Sequence, residues 1–426
     1  MVDSAYYKDR PAERVVPRGC PVDHSFSTFS EAYIKNPYAE LKQRRHDTPA
    51  FYSEEMGYLV LTKMEDVLHV FKNPGIFSPE NVQQPVVKIC DAAREILAAD
   101  DYRPLPVLSN NTPPDHVRIR KHTHAGFSNR RMQVLEPFVR QRSETLIDAM
   151  IEAGPPANFV TAIGHPLPGE TIFRLLGFPP EDDPQLKIWT TNRLSFTWGL
   201  STDEEQIAIA EYMLAYWRYC CAHVKRRRDE PADDFTTELL AVHNENADEL
   251  SIAEIESVVY GLSFAGHEIV SNLLGNSLIN LLRNRGSWDE ICADPAKIPG
   301  ALNESLRIDS PQTSWRRIAR EDTTVAGYDI PKGTEIFMSL GSANHDEDKF
   351  PEPETFDIHR ENANHNVSFG HGSHFCLGNR LAILEGTIAL QVLAGRLPGL
   401  DLAEDQTFSY VPNFTMRGPA ELWVRW

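Results

Sequence analysis

The alternation of hydrophobic and polar positions along the chain predicts many helices and few strands. Several runs with apolar residues at helical spacing follow one another between residues 159 and 243. The segment GYLVLT is typical of a short strand and precedes an amphipathic helical pattern, whereas residues 116–151 are helical and basic, with an interruption at Pro137. The segments TEIFMSL and AELWVRW alternate like strands. The predicted fold class is therefore mostly α with a minor β region.

One segment predicts a long, buried helix. Ser251 and Glu254 fit a capping box, in which each side chain satisfies a free backbone amide at the start of the helix. Apolar side chains follow on several faces, as is typical of a core helix. Gly261 and Gly266 lie inside this helix, although each costs about 1 kcal/mol relative to Ala. Either close helix packing or the close approach of a flat ligand to Ala265 and Gly266 would explain them.

Composition and charge narrow the class of protein. The chain has 426 residues, of which 41% are hydrophobic and 24% charged, which excludes disordered and collagen-like classes. Its loops are short, so a single domain over residues 1–426 is expected. The formal net charge of −19 opposes binding to nucleic acid or anionic lipid, and no apolar run is long enough to cross a membrane. Because the N-terminal sequence has no signal-peptide pattern, a soluble cytoplasmic protein is expected.

The cysteines supply one candidate for chemistry. The chain has six, and none forms a C-x-x-C pair, which excludes a disulfide framework and a zinc site with the usual spacing. Cys376 follows two glycines in SFGHGSHFCLG and comes just before a helical pattern that begins at Arg380. The N-terminus of a helix favours a thiolate. Such a thiolate is a nucleophile, with His371 or His374 as its base, or a soft metal ligand, and a buried small hydrophobe is a third interpretation.

The pattern FG-x-G-x-H-x-C-x-G, from Phe369 to Gly378, resembles the heme-binding signature of the cytochrome P450 family in its bacterial form. The resemblance implies that the Cys376 thiolate is the axial ligand of the iron in heme b. Thiolate donates electron density that favours O–O cleavage. It also implies that Phe369, Gly370 and Gly378 belong to the cofactor-binding loop and that His374 reaches a heme propionate.

Two further stretches resemble the family's propionate-binding segments. PPDHVRIR resembles the helix that holds the propionates, and it places His116 and Arg120 on one helical face. RIARED resembles a segment whose first arginine, Arg317, meets a propionate. Together with His374, the resemblance therefore implies four cationic or hydrogen-bonding residues around the carboxylates of heme.

Two other stretches resemble structural segments of the same family. ESLR resembles the E-x-x-R motif, which implies a buried ion pair of Glu304 and Arg307. The segment from ANHD to PETFD resembles the meander that precedes the cysteine loop, but Thr355 stands where an arginine is common. Either His359 or Arg360 is expected to complete the network around the ion pair.

The long helix resembles the family's distal, oxygen-binding helix through the segment AGHEI. The resemblance implies that Ala265 and Gly266 leave room for dioxygen and that Glu268 relays protons through water. The usual threonine is Ile269 here, which has no hydrogen-bond donor. A substrate hydroxyl or an ordered water would replace that group, or peroxide would serve as oxidant, or the enzyme would catalyse one-electron coupling. His267 is either a further proton group or a wall residue.

The implied enzyme is a heme-thiolate monooxygenase that inserts one oxygen atom from O2 into a small or medium-sized apolar organic substrate. Hydroxylation and oxidative dealkylation are the expected reactions, and an aromatic ether is one candidate substrate. Oxidative coupling, peroxide-driven oxidation and a non-catalytic heme sensor are the alternatives. A ferredoxin-type electron donor with its reductase is the expected partner. Its docking face, or else a solvated helix face, would contain Arg118, Lys121, Arg130 and Arg131. The run WTTNRLSFTW is either the roof of a substrate pocket or part of the core.

Overall fold

The computed structural model describes residue 10 and residues 14–426. Helices predominate among these residues and the strands are short, so the predicted class, mostly α with a minor β region, is confirmed. The α-helices are, in chain order, α1 (Glu31–Lys35), α2 (Pro37–Asp47), α3 (Met64–Lys72), α4 (Asp91–Leu97), α5 (Asp115–Thr123), α6 (Asn129–Ala153), α7 (Pro166–Leu176), α8 (Asp183–Trp198), α9 (Asp203–Asp229), α10 (Phe235–Glu245), α11 (Ile252–Ala265), α12 (Glu268–Arg283), α13 (Arg285–Ala293), α14 (Ile298–Ile308), α15 (Leu340–Ala343) and α16 (Asn379–Arg396). The strands are β1 (Val22–Asp23), β2 (Ala50–Ser53), β3 (Tyr58–Leu61), β4 (Phe77–Ser78), β5 (Ala157–Asn158), β6 (Ser314–Ala319), β7 (Thr323–Val325), β8 (Tyr328–Ile330), β9 (Glu335–Ser339), β10 (Asp401–Leu402) and β11 (Trp423–Arg425).

The described residues fall into two compact units, each built from separate stretches of chain. The first unit includes Pro79–Leu135 and Pro168–Glu268. The second includes residues 14–78, Glu136–Leu167 and Ile269–Trp426. The first unit is helical, and within it α9 packs against α4, α8 and α11.

The main sheet belongs to the second unit and has the strand order β1-β2-β3-β9-β6-β4. Strand β3 pairs in parallel with β9, and β9 pairs antiparallel with β6. The segments GYLVLT and TEIFMSL contain β3 and β9, and the amphipathic pattern after GYLVLT contains α3, so these predictions are confirmed. The C-terminal β11 lies between β10 and β5 in a smaller antiparallel sheet, which confirms the strand predicted in AELWVRW.

The core of the second unit consists of two large apolar clusters. One contains side chains of α13, α14 and α16 together with Trp288, whose indole is fully buried and donates to the carbonyl of Pro398 at 3.0 Å. The other surrounds β3 and β9 and includes Phe71 of α3. Among the described residues, none of the helices combines the length and apolar character that membrane crossing requires.

The predicted interruption at Pro137 is wrong, because α6 continues through it. Proline removes a backbone hydrogen bond in a helix interior. Here Pro137 lies on the exposed side of α6, while Val139, Ile147 and Met150 are buried in the apolar cluster around Trp288. Tertiary burial of that face maintains the helix despite the local cost.

The predicted long helix begins as expected and then breaks. Ser251 and Glu254 form the capping box, with both reciprocal hydrogen bonds present. Helix α11 ends at Ala265, and α12 begins at Glu268. The Gly266 amide still donates to the carbonyl of Leu262 at 3.1 Å, but regular helix resumes only after His267. The sequence pattern therefore predicted the segment correctly but missed its break.

Candidate active site

The loop before α16 is shaped by two glycines and short-range hydrogen bonds. Gly370 and Gly372 have φ of 70° and 72°, in the left-handed region that a side chain disfavours. The Phe375 amide donates to the carbonyl of Gly372 at 3.0 Å, and the Cys376 amide donates to the carbonyl of Phe369 at 2.8 Å. These bonds close a tight turn that holds Cys376 in a fixed place.

Cys376 is half-buried and lies three residues before the first residue of α16. The Asn379 side chain donates to the carbonyl of Cys376 at 2.7 Å, which connects the helix start to the loop. Gly378 is the N-cap residue and has φ of −84°, a value open to any residue. The structure thus confirms that the Cys376 thiol lies just before the N-terminus of a helix.

Phe71 of α3 supports the cysteine loop from one side. A Cβ added at Gly372 would lie 2.9 Å from the carbonyl oxygen of Phe71, and one added at Gly370 would lie 3.7 Å from its ring. The guanidinium carbon of Arg317 lies 5.5 Å from the centroid of the same ring. Arg317 and the cysteine loop therefore share one aromatic neighbour, and they belong to the same compact unit.

The guanidinium of Arg317 is a buried cation in this region. Its residue is 2% exposed, and its Nη1 donates to the carbonyl of Arg316 at 2.8 Å. Burial lowers the pKa of Arg317 to about 9, because removal from water disfavours the charged form. A carboxylate placed beside it would stabilise that charge.

A buried polar network anchors the segment that enters the loop. The Asn344 side chain donates to the hydroxyls of Ser310 and Ser368, at 2.9 Å each. Its Oδ1 accepts from the amide of Val367 at 2.8 Å, and Ser368 donates to the carbonyl of Leu306 at 2.6 Å. Because all of these groups are buried, the network fixes the entry to the loop against α14 and α15.

The ion pair of Glu304 and Arg307 is fully buried, as the resemblance implied. Arg307 binds both carboxylate oxygens, with Nε–Oε2 at 2.8 Å and Nη2–Oε1 at 2.7 Å. It also donates to the carbonyls of Asn344 and Pro353, at 3.1 and 2.8 Å. The pair therefore connects α14 to the meander before the cysteine loop.

Arg360, rather than His359, completes this network. Its Nε donates to Glu304 Oε1 at 3.1 Å, whereas His359 is exposed and contacts Glu290 at 2.9 Å. Thr355 contributes through its backbone, since its carbonyl accepts from Arg307 and Arg360 at 3.1 Å each. The missing arginine at position 355 is thus replaced by one five residues later.

Two of the other propionate candidates lie in the first unit. His116 and Arg120 are one turn apart in α5, where His116 is 1% exposed and Arg120 is half-buried. Arg118 on the same helix donates instead to Glu254 and Asp115. The structure therefore places His116 and Arg120 on a common face, and their role toward a propionate stays a prediction.

At the helix break, the missing side chain of Gly266 is explained by packing. A Cβ there would lie 2.7 Å from Cγ1 of Ile172 in α7, so a side chain does not fit. At Gly261, no described atom lies within 4 Å of such a Cβ. Close helix packing therefore accounts for Gly266 and not for Gly261. Ala265 is exposed at the end of α11, and its role toward dioxygen stays a prediction.

Two threonine hydroxyls of α8 form hydrogen bonds with His267 and Glu268, at the break between α11 and α12. Thr191 donates to Oε1 of Glu268 at 2.6 Å, and Thr190 Oγ1 lies 2.8 Å from Nδ1 of His267. His267 is fully buried, whereas Glu268 and Ile269 are half-buried. The acid predicted to relay protons therefore has a hydroxyl partner that the sequence did not reveal.

The aromatic run in α8 packs mainly within the first unit. Trp198 is 3% exposed and donates to the carbonyl of Val82 at 3.2 Å. Arg193 is fully buried and donates to Oε1 of Gln83 at 2.9 Å. Trp198 and Arg193 therefore belong to the core, which is the second of the two interpretations of this run.

The candidate residues divide between the two units. The second unit contains Arg317, Phe369, Gly370, His374, Cys376, Gly378 and Ile269, and the first contains His116, Arg120, Ala265, Gly266 and Glu268. Within the second unit, Phe71 joins Arg317 to the cysteine loop, although no local motif marked it. The signal available for Phe71 was its place at the end of an amphipathic helix, which is common to many core residues.

Comparison with known proteins decides the family. A family model described as Cytochrome P450 matches residues 298–393. Over 372 residues the chain is 32% identical to cytochrome P450 107B1 of Saccharopolyspora erythraea, across 86% of this chain and 88% of the relative. The chain belongs to the cytochrome P450 family.

The structure of cytochrome P450 CREJ in complex with (4-ethylphenyl) dihydrogen phosphate matches this P450 with a TM-score of 0.91 and 34% identity, over 95% of this chain and 99% of that one. An intact type IV self-sufficient cytochrome P450 monooxygenase matches with a TM-score of 0.92 and 34% identity, over 99% of this chain and 55% of its own.

This P450 is therefore an oxidoreductase of the monooxygenase type, and the family implies a heme iron cofactor. Members of the family act on small organic substrates with O2 and redox partners. The residues of the second unit fit that cofactor. A half-buried cysteine before a helix could supply a soft thiolate ligand for iron, and the buried Arg317 guanidinium would suit a negatively charged propionate.

Proposed function

We propose that the protein is a heme b monooxygenase in which the Cys376 thiolate is the axial ligand of iron. It would insert one oxygen atom from O2 into a small or medium-sized apolar organic substrate by hydroxylation or oxidative dealkylation. The observation that supports this most strongly is the rigid loop that presents Cys376 just before α16. When bound, heme supplies the oxidative chemistry, and the protein supplies ligation, orientation and electrostatics.

The proposal assigns four residues to the heme propionates: His116, Arg120, Arg317 and His374. Support is strongest for Arg317, since burial lowers the pKa of its guanidinium and a nearby carboxylate would reverse that effect. Phe369, Gly370 and Gly378 would form the cysteine loop around the ligand. The proposal treats residues 1–426 as one functional heme domain, because both compact units are assembled from discontinuous stretches of the chain.

An aromatic substrate, including an aromatic ether, is the class we propose. The support is the similarity to cytochrome P450 CREJ, whose structure contains an ethylphenyl phosphate. Ile269 favours one alternative, because an isoleucine cannot donate a hydrogen bond at the position where the family usually has threonine. That alternative is peroxide-driven oxidation or oxidative coupling, in which proton supply from position 269 matters less.

The proposed electron donor is a ferredoxin-type protein with its reductase. Of the basic residues considered for docking, Arg118 and Arg131 already donate to Glu254 and Glu238. Lys121 is also paired, with Oε2 of Glu249 at 3.2 Å, but its side chain is 67% exposed, so it is the most accessible of the three to an acidic partner. The proposal includes a cytoplasmic location, for which the support is that no two of the six cysteines, all of which lie in the described part, form a disulfide.

Ligation by Cys376 is tested with carbon monoxide added to the dithionite-reduced holoprotein. The wild type should give the strongly red-shifted absorbance of sulfur-ligated heme iron, and Cys376→Ala should lose it. Cys292→Ala is the matched control, because Cys292 is a half-buried thiol in α13 outside the cysteine loop. A Cys376→Ala protein that keeps the red-shifted band would overturn the assignment.

The oxidant is tested by comparing two reactions on the same aryl ether. One contains NADH with a ferredoxin and its reductase, and the other contains peroxide alone. The monooxygenase proposal expects product formation coupled to NADH consumption in the first reaction. Product from peroxide alone, with none from the NADH chain, would favour the alternative.

A further inference from the structure

Two adjacent threonines of α8 hydrogen-bond to two adjacent residues at the break between α11 and α12. Thr191 Oγ1 lies 2.6 Å from Glu268 Oε1, and Thr190 Oγ1 lies 2.8 Å from His267 Nδ1. All four residues belong to the first compact unit. The two bonds attach one turn of α8 to the point where the distal helix is irregular.

The two threonines do different things. The Thr190 hydroxyl lies 3.1 Å from the carbonyls of both Leu186 and Lys187, in its own helix. Its oxygen also lies 2.8 Å from Nδ1 of His267, and the imidazole tautomer sets which of the two atoms donates. The Thr191 hydroxyl donates to the carboxylate of Glu268. A hydrogen bond to a charged acceptor is about twice as strong as a neutral one.

Helix α7 limits the space on another side of the break. A Cβ added at Gly169 would lie 3.0 Å from Nε2 of His267 and 3.2 Å from Cγ of Lys187. The Lys187 ammonium donates to Oε1 of Glu170 at 3.1 Å, so this α8 cation already has an acidic partner on α7. Thr191 is therefore an α8 group that donates directly to the Glu268 carboxylate, and the next residue in sequence, Ile269, has no side-chain donor.

We propose that Thr191 is a positioning residue for Glu268. Its hydroxyl fixes the orientation of the carboxylate, so that proton transfer through Glu268 depends on the placement of α8. This inference rests on the proposed monooxygenase function and extends it to a residue on another helix. Thr191 acts through Glu268 and is not itself a catalytic residue.

The first test needs no turnover. The infrared difference between wild type and Glu268→Gln isolates the carboxylate stretch of Glu268. Thr191→Val should shift that band, because it removes the donor with little change in volume, and Thr191→Ser should leave it unchanged. An unshifted band in a Thr191→Val protein with native circular dichroism would overturn the proposal.

The second test is a double-mutant cycle on coupling, measured as product formed per NADH consumed. Removing a hydrogen bond to a charged group should lower coupling in Thr191→Val by roughly tenfold, with Thr191→Ser restoring it. In the Glu268→Gln background, Thr191→Val should change nothing further. The substrate dissociation constant, read from the heme absorption band, should stay within twofold.

Thr145→Val is the matched control, since Thr145 is exposed on α6 and its hydroxyl donates to the carbonyl of Gln141 in its own helix. Equal and additive losses from Thr191→Val in both backgrounds, or a change in substrate affinity alone, would show that Thr191 only shapes the wall. A wild type that forms no product would instead contradict the proposed function. The infrared result would still show whether the Thr191 hydroxyl holds the Glu268 carboxylate.

Discussion

The cysteine loop and the break in the distal helix are held in different ways. The turn of the loop is formed by its own residues, through two glycines with positive φ and the hydrogen bond from the Cys376 amide to the carbonyl of Phe369. The break depends on α7 and α8, since Ile172 fills the space beside Gly266 and Thr191 binds Glu268. Local contacts thus close the turn of the first region, which Phe71 and the Asn344 network support from outside, whereas the contacts described for the second region are all distant in sequence.

The largest effect is expected from disrupting the buried Glu304–Arg307 pair, which connects α14 to the meander before the cysteine loop. Arg307→Ala should lower the free energy of unfolding by about 3–5 kcal/mol, because removing one partner leaves the other charge of a buried pair uncompensated. Glu304 would keep only Arg360 as a charged partner in the network described above. Urea unfolding followed by circular dichroism measures the loss.

Arg396→Ala is the control for that variant. Arg396 pairs with Asp148, and both side chains are about half exposed, at 47% and 51%. Exposed pairs contribute about 0–1 kcal/mol. Equal destabilisation by the two variants would mean that burial of the Glu304–Arg307 pair does not determine its importance.

The next effect tests the locally determined region itself. Gly372→Ala should cost about 1–2 kcal/mol for the left-handed backbone and about 1–3 kcal/mol for overpacking against the carbonyl of Phe71. The red-shifted carbon monoxide absorbance should weaken with it. Gly395→Ala in α16 meets no described atom within 4 Å and should be neutral or stabilising by up to about 1 kcal/mol. Identical spectra and midpoints for the two variants would contradict the role of the Gly372 turn.

This contrast explains how much was predictable from the sequence. The Cys376 turn is encoded by glycines within six residues of it, so a local motif predicts its position. The capping box at Ser251 was predicted for the same reason. The break after Ala265 and the hydroxyl at Thr191 were not, because nothing near Glu268 in sequence indicates which helix will pack there. The continuation of α6 through Pro137 was mispredicted because burial of its apolar face outweighs a local preference.

A smaller effect tests the region held by distant contacts. Gly266→Ala should cost about 1–3 kcal/mol, because the new methyl group overlaps Ile172. The same substitution in an Ile172→Ala background should cost less, since Cγ1 and Cδ1 of Ile172 are gone. The coupling energy from a double-mutant cycle of urea unfolding measures the difference. Strict additivity would show that Ile172 is not what excludes a side chain at 266.

The smallest expected effect is a change in the pH dependence of the free energy of unfolding. It concerns Glu385, which lies in α16 after the cysteine loop. Its residue is fully buried, and among the described residues neither carboxylate oxygen has a hydrogen-bond partner. Burial raises the pKa of Glu385 well above its ordinary value of 4.5. The folded state therefore holds the neutral acid where the unfolded chain has already lost its proton.

The sign of the resulting pH dependence follows from linkage. Above pH 4.5 the unfolded state releases the proton of Glu385 first, so stability falls as pH rises toward the raised pKa of the folded state. The slope from one such group is at most about 1.4 kcal/mol per pH unit. Glu385→Gln should therefore gain stability relative to wild type between pH 5 and pH 6, while Glu361→Gln, at an exposed position, should not. Parallel pH profiles for wild type and Glu385→Gln would mean that the carboxyl of Glu385 has the same pKa in the folded and unfolded states. A group near α16 would then have to stabilise the charged carboxylate in the folded protein.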